Sequence, residues 1–203
     1  MTDSVNNPGP GHKNSPDSEH RSDRVHDDPL SLSRHIGQPG PAPVHLWNPP
    51  YCGELDIRIA RDGTWFHEGQ VIRRDALVRL FSSVLKKEGD NYFLVTPVEK
   101  VGIKVEDCPY VARGMEISGS GSDQEVRILL NTGEWVLVDE HHPLKIGKRD
   151  KSDEPHPTVL VRDGLFALLS RSVFYQLVDA ADGESGSLLG IWSAGHFFSL
   201  GYA

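Results

Sequence analysis

Apolar residues stand at every second position of the segment 55–59, with charged residues between them. This alternation is typical of a strand that buries one face. An Asp62-Gly63 pair follows, and such a pair favours a tight hairpin turn because both central residues need a positive φ angle. The pattern therefore predicts a β-hairpin whose return strand begins at Trp65.

From Asp75 onward the spacing of apolar residues changes to that of an amphipathic helix. The apolar residues that share one helical face are Leu77, Leu80, Phe81, Val84 and Leu85. Asp75 is predicted to cap the start of this helix, and the basic residues and glycine of "KKEGDN" are predicted to close it. The next run, "YFLVTPVEKVGIKV", predicts two strands around a turn at Thr96–Lys100, since Pro97 cannot donate inside a ladder.

The second half of the chain is richer in alternating segments. "YVARGMEIS", "EVRILLN" and "EWVLVDE" predict successive strands, "HHPLKIG" and a polar loop follow, and "TVLVRDGLFALL" predicts a hairpin with Asp163-Gly164 at its tip. Ser172 is predicted to cap a second amphipathic helix. "LLGIWSAGHFFSL" then predicts a closing hairpin.

The order hairpin, capped helix, hairpin thus occurs twice. In the alignment of the two runs, the RDG turn at Arg61 matches the RDG turn at Arg162, Asp75 matches Ser172, and Gly89 matches Gly186. Identities are few, and any α+β protein can contain two such runs by chance. We interpret the constant order and spacing as an α+β fold of two small domains built from a duplicated hairpin-helix-hairpin unit.

Composition divides the chain into three parts. The first 44 residues contain no Phe, Trp or Tyr and are dominated by Pro, Gly, Ser, Asp and His, which predicts a disordered polar tail over residues 1–44. Its histidines could recruit a metal, but a solvated tail is the preferred interpretation. An N-terminal α+β domain is predicted over 45–107 and a C-terminal α+β domain over 108–203.

Charge and cysteine content restrict the function classes. The net charge of −8 argues against a sequence-independent grip on duplex nucleic acid, although it is compatible with a small anionic ligand. No apolar run approaches the roughly 20 residues of a membrane span, and no secretory signal is recognisable. Cys52 and Cys108 are far apart, which is typical of reduced thiols. The sequence predicts a cytoplasmic protein that contacts no membrane.

Several segments together resemble a known bacterial family. "WNPPYCGELDIRIARDGTWFHEG", "YFLVTPVEKVGI", "HPLKI", "VLVRDGL" and "GIWSAGHFFSLG" are similar to domain-of-unknown-function family 1285 (DUF1285), over nearly all of Trp47 to Gly201. The resemblance implies two domains built from repeated motifs, the C-terminal one a pleckstrin-homology-like antiparallel barrel or sheet with one helix. No activity is established for the family. A role in signal transduction, with a nucleotide-like ligand between the domains, is what the resemblance implies.

Two turns carry the candidate chemistry. "TPVEK" places a hydroxyl, a carboxylate and an amine within five residues, at Thr96, Glu99 and Lys100. If the duplication holds, "SAGH" is the equivalent turn and offers Ser193 and His196. The two tips could then face each other across a pseudo-twofold interface, where ligand sites commonly form. The alternative is that Glu99 and Lys100 are a solvated pair that contributes well under about 1 kcal/mol.

Two further residues complete the predicted ligand-binding set. His142 ends "DEHH", where neighbouring histidines point to opposite faces of a strand and no third ligand stands at zinc spacing, so no metal site is predicted. Arg61 and Arg162 flank the RDG tips and could grip an anion or be solvated. The predicted ligand-binding residues are Thr96, Glu99, Lys100, His142, Arg162, Ser193 and His196.

Three functions stay open at this stage. The first is a non-enzymatic binding or signalling module that holds a small anionic or nucleotide-like ligand at its domain interface, without a cofactor. The second is a protein–protein interaction scaffold whose partner is a signalling protein. The third is a hydrolase or transferase with His142 or His196 as general base, which requires a carboxylate or hydroxyl within hydrogen-bond reach. No nucleophile motif is present, and "SGSGS" lacks the ending of a phosphate-binding loop.

Overall fold

The computed structural model of this chain describes residues 42–149, 153–183 and 188–202. Residues 1–41, which make up most of the predicted tail, and Gly186 lie outside the described residues. The described part contains two six-stranded sheets, a separate two-stranded hairpin and two helices. This confirms a mixed α and β fold in which sheets predominate.

The first sheet is formed by the N-terminal half. Its strands are β1 (Tyr51–Ile59), β2 (Trp65–His67), β3 (Gln70–Val71), β4 (Leu85–Glu88), β5 (Asn91–Val95) and β6 (Lys100–Val105). The strand order is β3-β2-β1-β6-β5-β4. Neighbouring strands are antiparallel except for the central pair of β1 and β6, which is parallel. Helix α1 (Asp75–Ser83) connects β3 to β4.

The second sheet is formed by the C-terminal half. Its strands are β7 (Tyr110–Ser118), β8 (Glu125–Leu130), β9 (Trp135–Leu137), β10 (Leu144–Lys148), β11 (Pro155–Arg162) and β12 (Leu165–Leu169). The order is β10-β11-β12-β7-β8-β9, again with a parallel pair, β12 and β7, at the centre. Helix α2 (Arg171–Asp179) leads from β12 to the separate hairpin of β13 (Leu188–Ser193) and β14 (His196–Tyr202). Short 3-10 helices cover Val44–Leu46 and Gly121–Asp123.

The duplication is confirmed at the level of the sheets, but its register differs from the predicted one. The two strand orders coincide when β1–β6 are matched with β7–β12. The RDG turn at Arg61 then matches the connection from β7 to β8, and the RDG turn at Arg162 matches the turn from β5 to β6. The hairpin β13–β14 has no counterpart in the first sheet. The alignment of the two RDG turns was wrong because an apolar pattern locates strands without showing which strands pair.

Three predictions about helix ends need correction. Arg74, not Asp75, occupies the N-cap of α1, and no side chain caps that end. The helix ends at Ser83, and "KKEGDN" forms the β4–β5 hairpin, since pairing with β5 draws Leu85 into a strand. In α2 the cap is Ser170 rather than Ser172, because Ser170 leaves β12 with extended backbone and its hydroxyl accepts the Val173 N–H.

One hydrophobic cluster joins both halves. Buried side chains from the two sheets and both helices belong to a single core, with Phe81 of α1 packed against Trp65 at a ring-centroid distance of 6.1 Å. Both helices are nine residues long. Within the described ranges, no helix is long and apolar enough to cross a membrane.

The C-terminal end of α1 is bound by two side chains of the second half. The Tyr110 hydroxyl donates to the Ser82 carbonyl at 3.1 Å, and burial raises the pKa of Tyr110. The Arg162 guanidinium donates to the same carbonyl, to the Leu85 carbonyl at 3.1 Å and to the Tyr110 hydroxyl at 3.2 Å. The Ser82 carbonyl lies in the last turn of α1, where carbonyls lack their full helical partners, so these contacts satisfy it across the interface.

A second contact attaches the first RDG turn to the second sheet. The Asn131 side chain accepts the Val111 N–H at 3.1 Å and donates to the Gly63 carbonyl at 3.1 Å. Gly63 has a φ of +79°, and a Cβ at this position would lie 2.6 Å from the Asn131 amide nitrogen. The turn therefore requires glycine for its backbone angle and for its close approach to the second half.

We expect Arg162→Met to lower the free energy of unfolding by about 2–4 kcal/mol, because the substitution leaves two carbonyls at the half-to-half contact without their charged donor. Urea unfolding followed by circular dichroism measures the change. Arg127→Met is the control, since Arg127 is 54% exposed and pairs with Glu125 on the surface, and should cost less than about 1 kcal/mol. Equal effects of the two substitutions would contradict this role for Arg162.

Candidate ligand-binding cleft

The first predicted turn is held by its own hydrogen bonds. Thr96 is fully buried, and its hydroxyl accepts the N–H groups of Val98 and Glu99 at 3.3 and 3.2 Å. The Lys100 ammonium donates to Glu88 at 2.9 Å, which lowers the pKa of Glu88. Glu99 is buried. These residues lie at one end of the first sheet, and the prediction that they contact a ligand stays a prediction.

The second predicted turn is attached to the second sheet. The buried Ser193 hydroxyl donates to the Val138 carbonyl at 2.6 Å and accepts the Val126 N–H at 2.9 Å. His196 lies 3.8 Å from Glu140. The two turns are therefore anchored on different sheets, as follows from the corrected register of the repeat.

His142 is paired with a carboxylate. Its Nδ1 lies 2.9 Å from Asp139, and the same carboxylate accepts the N–H groups of His141 and His142. Burial alone would raise the pKa of Asp139, but these hydrogen bonds outweigh it and hold the pKa below its ordinary value. Because Glu140 also lies near His196, the structure brings the loops of His142 and His196 together.

A cleft of about 480 Å³ lies between the first RDG turn, the second sheet and α2. Four arginines from four different elements line it. They are Arg61 in the β1–β2 turn, Arg113 on β7, Arg149 after β10 and Arg171 at the start of α2. The carboxylates on the lining are those of Asp62 and Glu154. We call this site the arginine cleft, and its lining carries an excess of positive charge.

Asp107 positions two of these arginines. Its carboxylate lies 3.6 Å from Arg61 and 4.0 Å from Arg149, and it also lies 2.7 Å from Nε2 of His156. Arg149 is further held by Glu154 at 3.0 Å. The two guanidiniums are thus gathered at one carboxylate before any ligand arrives, which lowers the entropic cost of binding.

Other charges in the arginine cleft are less fully matched. Hydrogen bonds from Thr64, with a smaller contribution from the Arg113 charge, hold the pKa of Asp62 below its ordinary value. The buried Nε of Arg149 has no hydrogen-bond partner among the described residues. Arg171 makes no ion pair with any residue that the structure describes. An anion in the cleft would supply the partners for these donors.

Helix α2 contributes its N-terminus and two aromatic rings. Ser170 and Arg171 line the cleft, so the positive end of the helix dipole lies at its edge. Phe174 and Tyr175 lie one turn further along, and Tyr175 is 58% exposed. The site therefore combines an anion-binding end with an aromatic surface on which a planar group can stack.

Asp107, Cys108 and His156 form a group of potential metal ligands, with their ligand atoms within 4.8 Å of one another. Burial, followed by the Asp107 charge, raises the pKa of the free Cys108 thiol to about 12. The guanidiniums of Arg61 and Arg149 lie at the same carboxylate and repel a cation. This group is better suited to holding the two arginines than to binding a metal.

Of the four arginines, sequence reasoning considered only Arg61. They are dispersed between positions 61 and 171 and come together only through the pairing of β7 with β12 and the packing of the RDG turn. No local motif marks them. Arg162, the other predicted anion contact, lies instead at the end of α1.

Fold and site together define a two-sheet α+β protein with an arginine-lined cleft between its halves. The chain belongs to the DUF1285 family: the family's N-terminal domain, described as a domain of unknown function, matches residues 42–108, and its C-terminal domain matches residues 109–200. The predicted resemblance is confirmed.

Two solved structures are similar to this chain. A DUF1285 family protein from Silicibacter pomeroyi is 48% identical with a TM-score of 0.81, and the match covers 87% of this chain and 96% of that one. A DUF1285 family protein from Shewanella baltica is 26% identical with a TM-score of 0.49, and the match covers 62% and 91%. No curated protein matches the chain.

We expect Asp139→Ala to destabilise the protein by about 1–2 kcal/mol at pH 7, because three hydrogen bonds to its carboxylate are lost. The folded-state pKa of Asp139 lies below the ordinary 3.8, so its contribution is present above that value and disappears as the pH falls through the folded-state pKa. The difference from wild type should therefore shrink below about pH 4. Urea unfolding between pH 7 and pH 3 measures it.

Asp56→Ala is the matched control for that series, since Asp56 is exposed on β1. Its difference from wild type should stay small at every pH. A gap for Asp139→Ala that grows as the pH falls would show that the sign of the pKa shift is wrong.

Proposed function

We propose that this protein is a non-enzymatic binding module that holds a small anionic ligand in the arginine cleft between its two halves. The observation that carries the proposal is the convergence of four arginines on one cleft at the N-terminus of α2. Guanidiniums recognise phosphate and carboxylate groups through paired N–H donors, which gives them both strength and geometry. The Asp107 carboxylate holds two of them ready.

The ligand class follows from the rest of the lining. A volume of about 480 Å³ is suited to a metabolite, and Phe174 and Tyr175 offer rings beside the cationic end. A nucleotide-like molecule, with phosphates toward the arginines and a planar base toward the rings, would use both parts. Its phosphates would also gain from the dipole of α2.

The proposed function is the predicted one, ligand binding, but its site is the arginine cleft rather than the two predicted turns. Thr96 and Ser193 form hydrogen bonds that stabilise their turns and neighbouring strands, and Arg162 connects the two halves. A role in signal transduction, the likeness of the C-terminal half to a pleckstrin-homology barrel and a cytoplasmic location stay predictions. The scaffold alternative also stays a prediction.

One observation favours the enzymatic alternative. His142 has the carboxylate partner that a general base requires, at 2.9 Å from Asp139. The Ser193 hydroxyl, however, is buried and donates to the Val138 carbonyl, so it is engaged in structure rather than available to attack a substrate. Ligand binding therefore remains the function that the site supports better.

Thermal unfolding of the full chain with pyrophosphate and with ADP tests the proposal. A ligand at about 100 times its Kd stabilises the native state by about 2.7 kcal/mol. That corresponds to a rise in Tm of roughly 5–10 °C for a protein of this size. Arg171→Gln should weaken binding at least about tenfold, because it removes one charge-assisted contact.

Arg127→Gln is the control, since Arg127 lies on β8 outside the arginine cleft, and it should leave the shift unchanged. No shift with either compound, or an equal shift in wild type and Arg171→Gln, would overturn the proposal. A shift with ADP and not with pyrophosphate would show that the aromatic end is needed for binding.

A further inference from the structure

A second cleft, of about 360 Å³, lies on the half-to-half contact between the C-terminal end of α1 and the β8–β9 turn. Arg79 and Ser82 line it from α1, and Thr132 and Glu134 line it from the turn. Tyr110 and Arg162 form its floor, where they bind the Ser82 carbonyl. We call it the hydroxyl cleft, and none of these residues lines the arginine cleft.

Two hydroxyls in the hydroxyl cleft lack partners. Ser82 is 5% exposed, and neither its Oγ nor the buried Oγ1 of Thr132 has a hydrogen-bond partner among the residues described. Buried polar atoms are almost always hydrogen-bonded in native proteins, so an orphan calls for a specific reason. The two orphans come from opposite halves of the chain and belong to residues that line one cleft, where a polar ligand would supply the missing partners.

The charges of the hydroxyl cleft are of both signs. Arg79 of α1 and Glu134 of the β8–β9 turn are exposed, and they form no ion pair with each other. The Glu134 carboxylate faces the cleft closely enough to contribute to the raised pKa of Tyr110. The Arg162 guanidinium donates to two carbonyls and to the Tyr110 hydroxyl. Among the described residues, Arg79 and Glu134 are therefore the charged groups of the walls that have no ion-pair partner.

Walls of opposite charge favour a ligand that carries both charges over a ligand of a single charge. A simple anion would meet the Glu134 carboxylate and the negative end of the α1 dipole, whose last turn forms one wall. A simple cation would meet Arg79 and Arg162. A small molecule that carries both a carboxylate and an ammonium group can pair with Arg79 on one wall and with Glu134 on the other.

We propose that the hydroxyl cleft binds a small zwitterion of the free α-amino acid class. The ligand carboxylate lies at Arg79 and accepts from the Ser82 and Thr132 hydroxyls, and the ligand ammonium lies at Glu134. The volume of about 360 Å³ is at the small end of ligand sites, which suits a single amino acid. Because both halves supply contacts, the bound molecule would strengthen their interface. The inference is independent of the anion proposed for the arginine cleft.

Isothermal titration of the full chain with the free amino acids tests this inference. At least one of them should bind with a Kd below about 1 mM. Two derivatives of that amino acid are the chemical controls: its amide, which lacks the carboxylate, and its N-acetyl form, which lacks the ammonium. Each should bind at least about tenfold more weakly, because each leaves one wall unpaired.

Matched variants locate the site. Arg79→Gln and Glu134→Gln should each weaken binding about tenfold, and Arg73→Gln, which alters an exposed arginine just before α1, should not. Ser82→Ala removes a hydroxyl that has no partner, so the protein should fold as wild type and still bind more weakly.

Failure of every free amino acid to bind would overturn the inference. So would equal binding of the amide or the N-acetyl form, or unchanged affinity in Arg79→Gln and Glu134→Gln. Arg171→Gln should leave amino-acid binding intact, so failure of this inference and failure of the arginine-cleft proposal are distinguishable.

Discussion

The packing of the two halves against each other depends on hydrogen bonds at the C-terminal end of helix α1. The Ser82 carbonyl lies in the last turn of its helix, and the second half supplies two donors for it, the Tyr110 hydroxyl and the Arg162 guanidinium. Tyr110 is also the first residue of β7, which pairs in parallel with β12 at the centre of the second sheet. A carbonyl at the end of a helix in the first half thus receives its hydrogen bond from the central strand of the second half. One buried hydrophobic cluster also spans both halves.

Each cleft lies on a contact between the two halves. The hydroxyl cleft lies on the contact at the end of α1, with Tyr110 and Arg162 as its floor. The arginine cleft lies where the first RDG turn meets the second sheet, a position fixed by Asn131 through its bonds to Gly63 and Val111. Neither site exists in one half alone. A ligand in either cleft would therefore contact both halves of the chain.

Sequence patterns predicted most strands and both helices, because alternation and helical periodicity are local properties. They failed where strand pairing determines the conformation. Leu85 fits the helical pattern but pairs with Leu94 in the β4–β5 hairpin. The register of the repeat was misplaced for the same reason. The arginine cleft was largely out of reach, since Arg113 and Arg149 are exposed or half-buried residues with no motif, and only the fold brings them to Arg61.

The central claim is that the arginine cleft is a preformed anion site. Anomalous diffraction from crystals equilibrated with tungstate tests it most directly, since tungstate mimics phosphate and its metal is located without ambiguity. We predict a tungsten peak close enough to Arg149 for a tungstate oxygen to accept from its guanidinium, and loss of that peak in Arg149→Gln. Tungstate that binds only elsewhere, with the arginine cleft left without a peak in the wild-type protein, would contradict the claim.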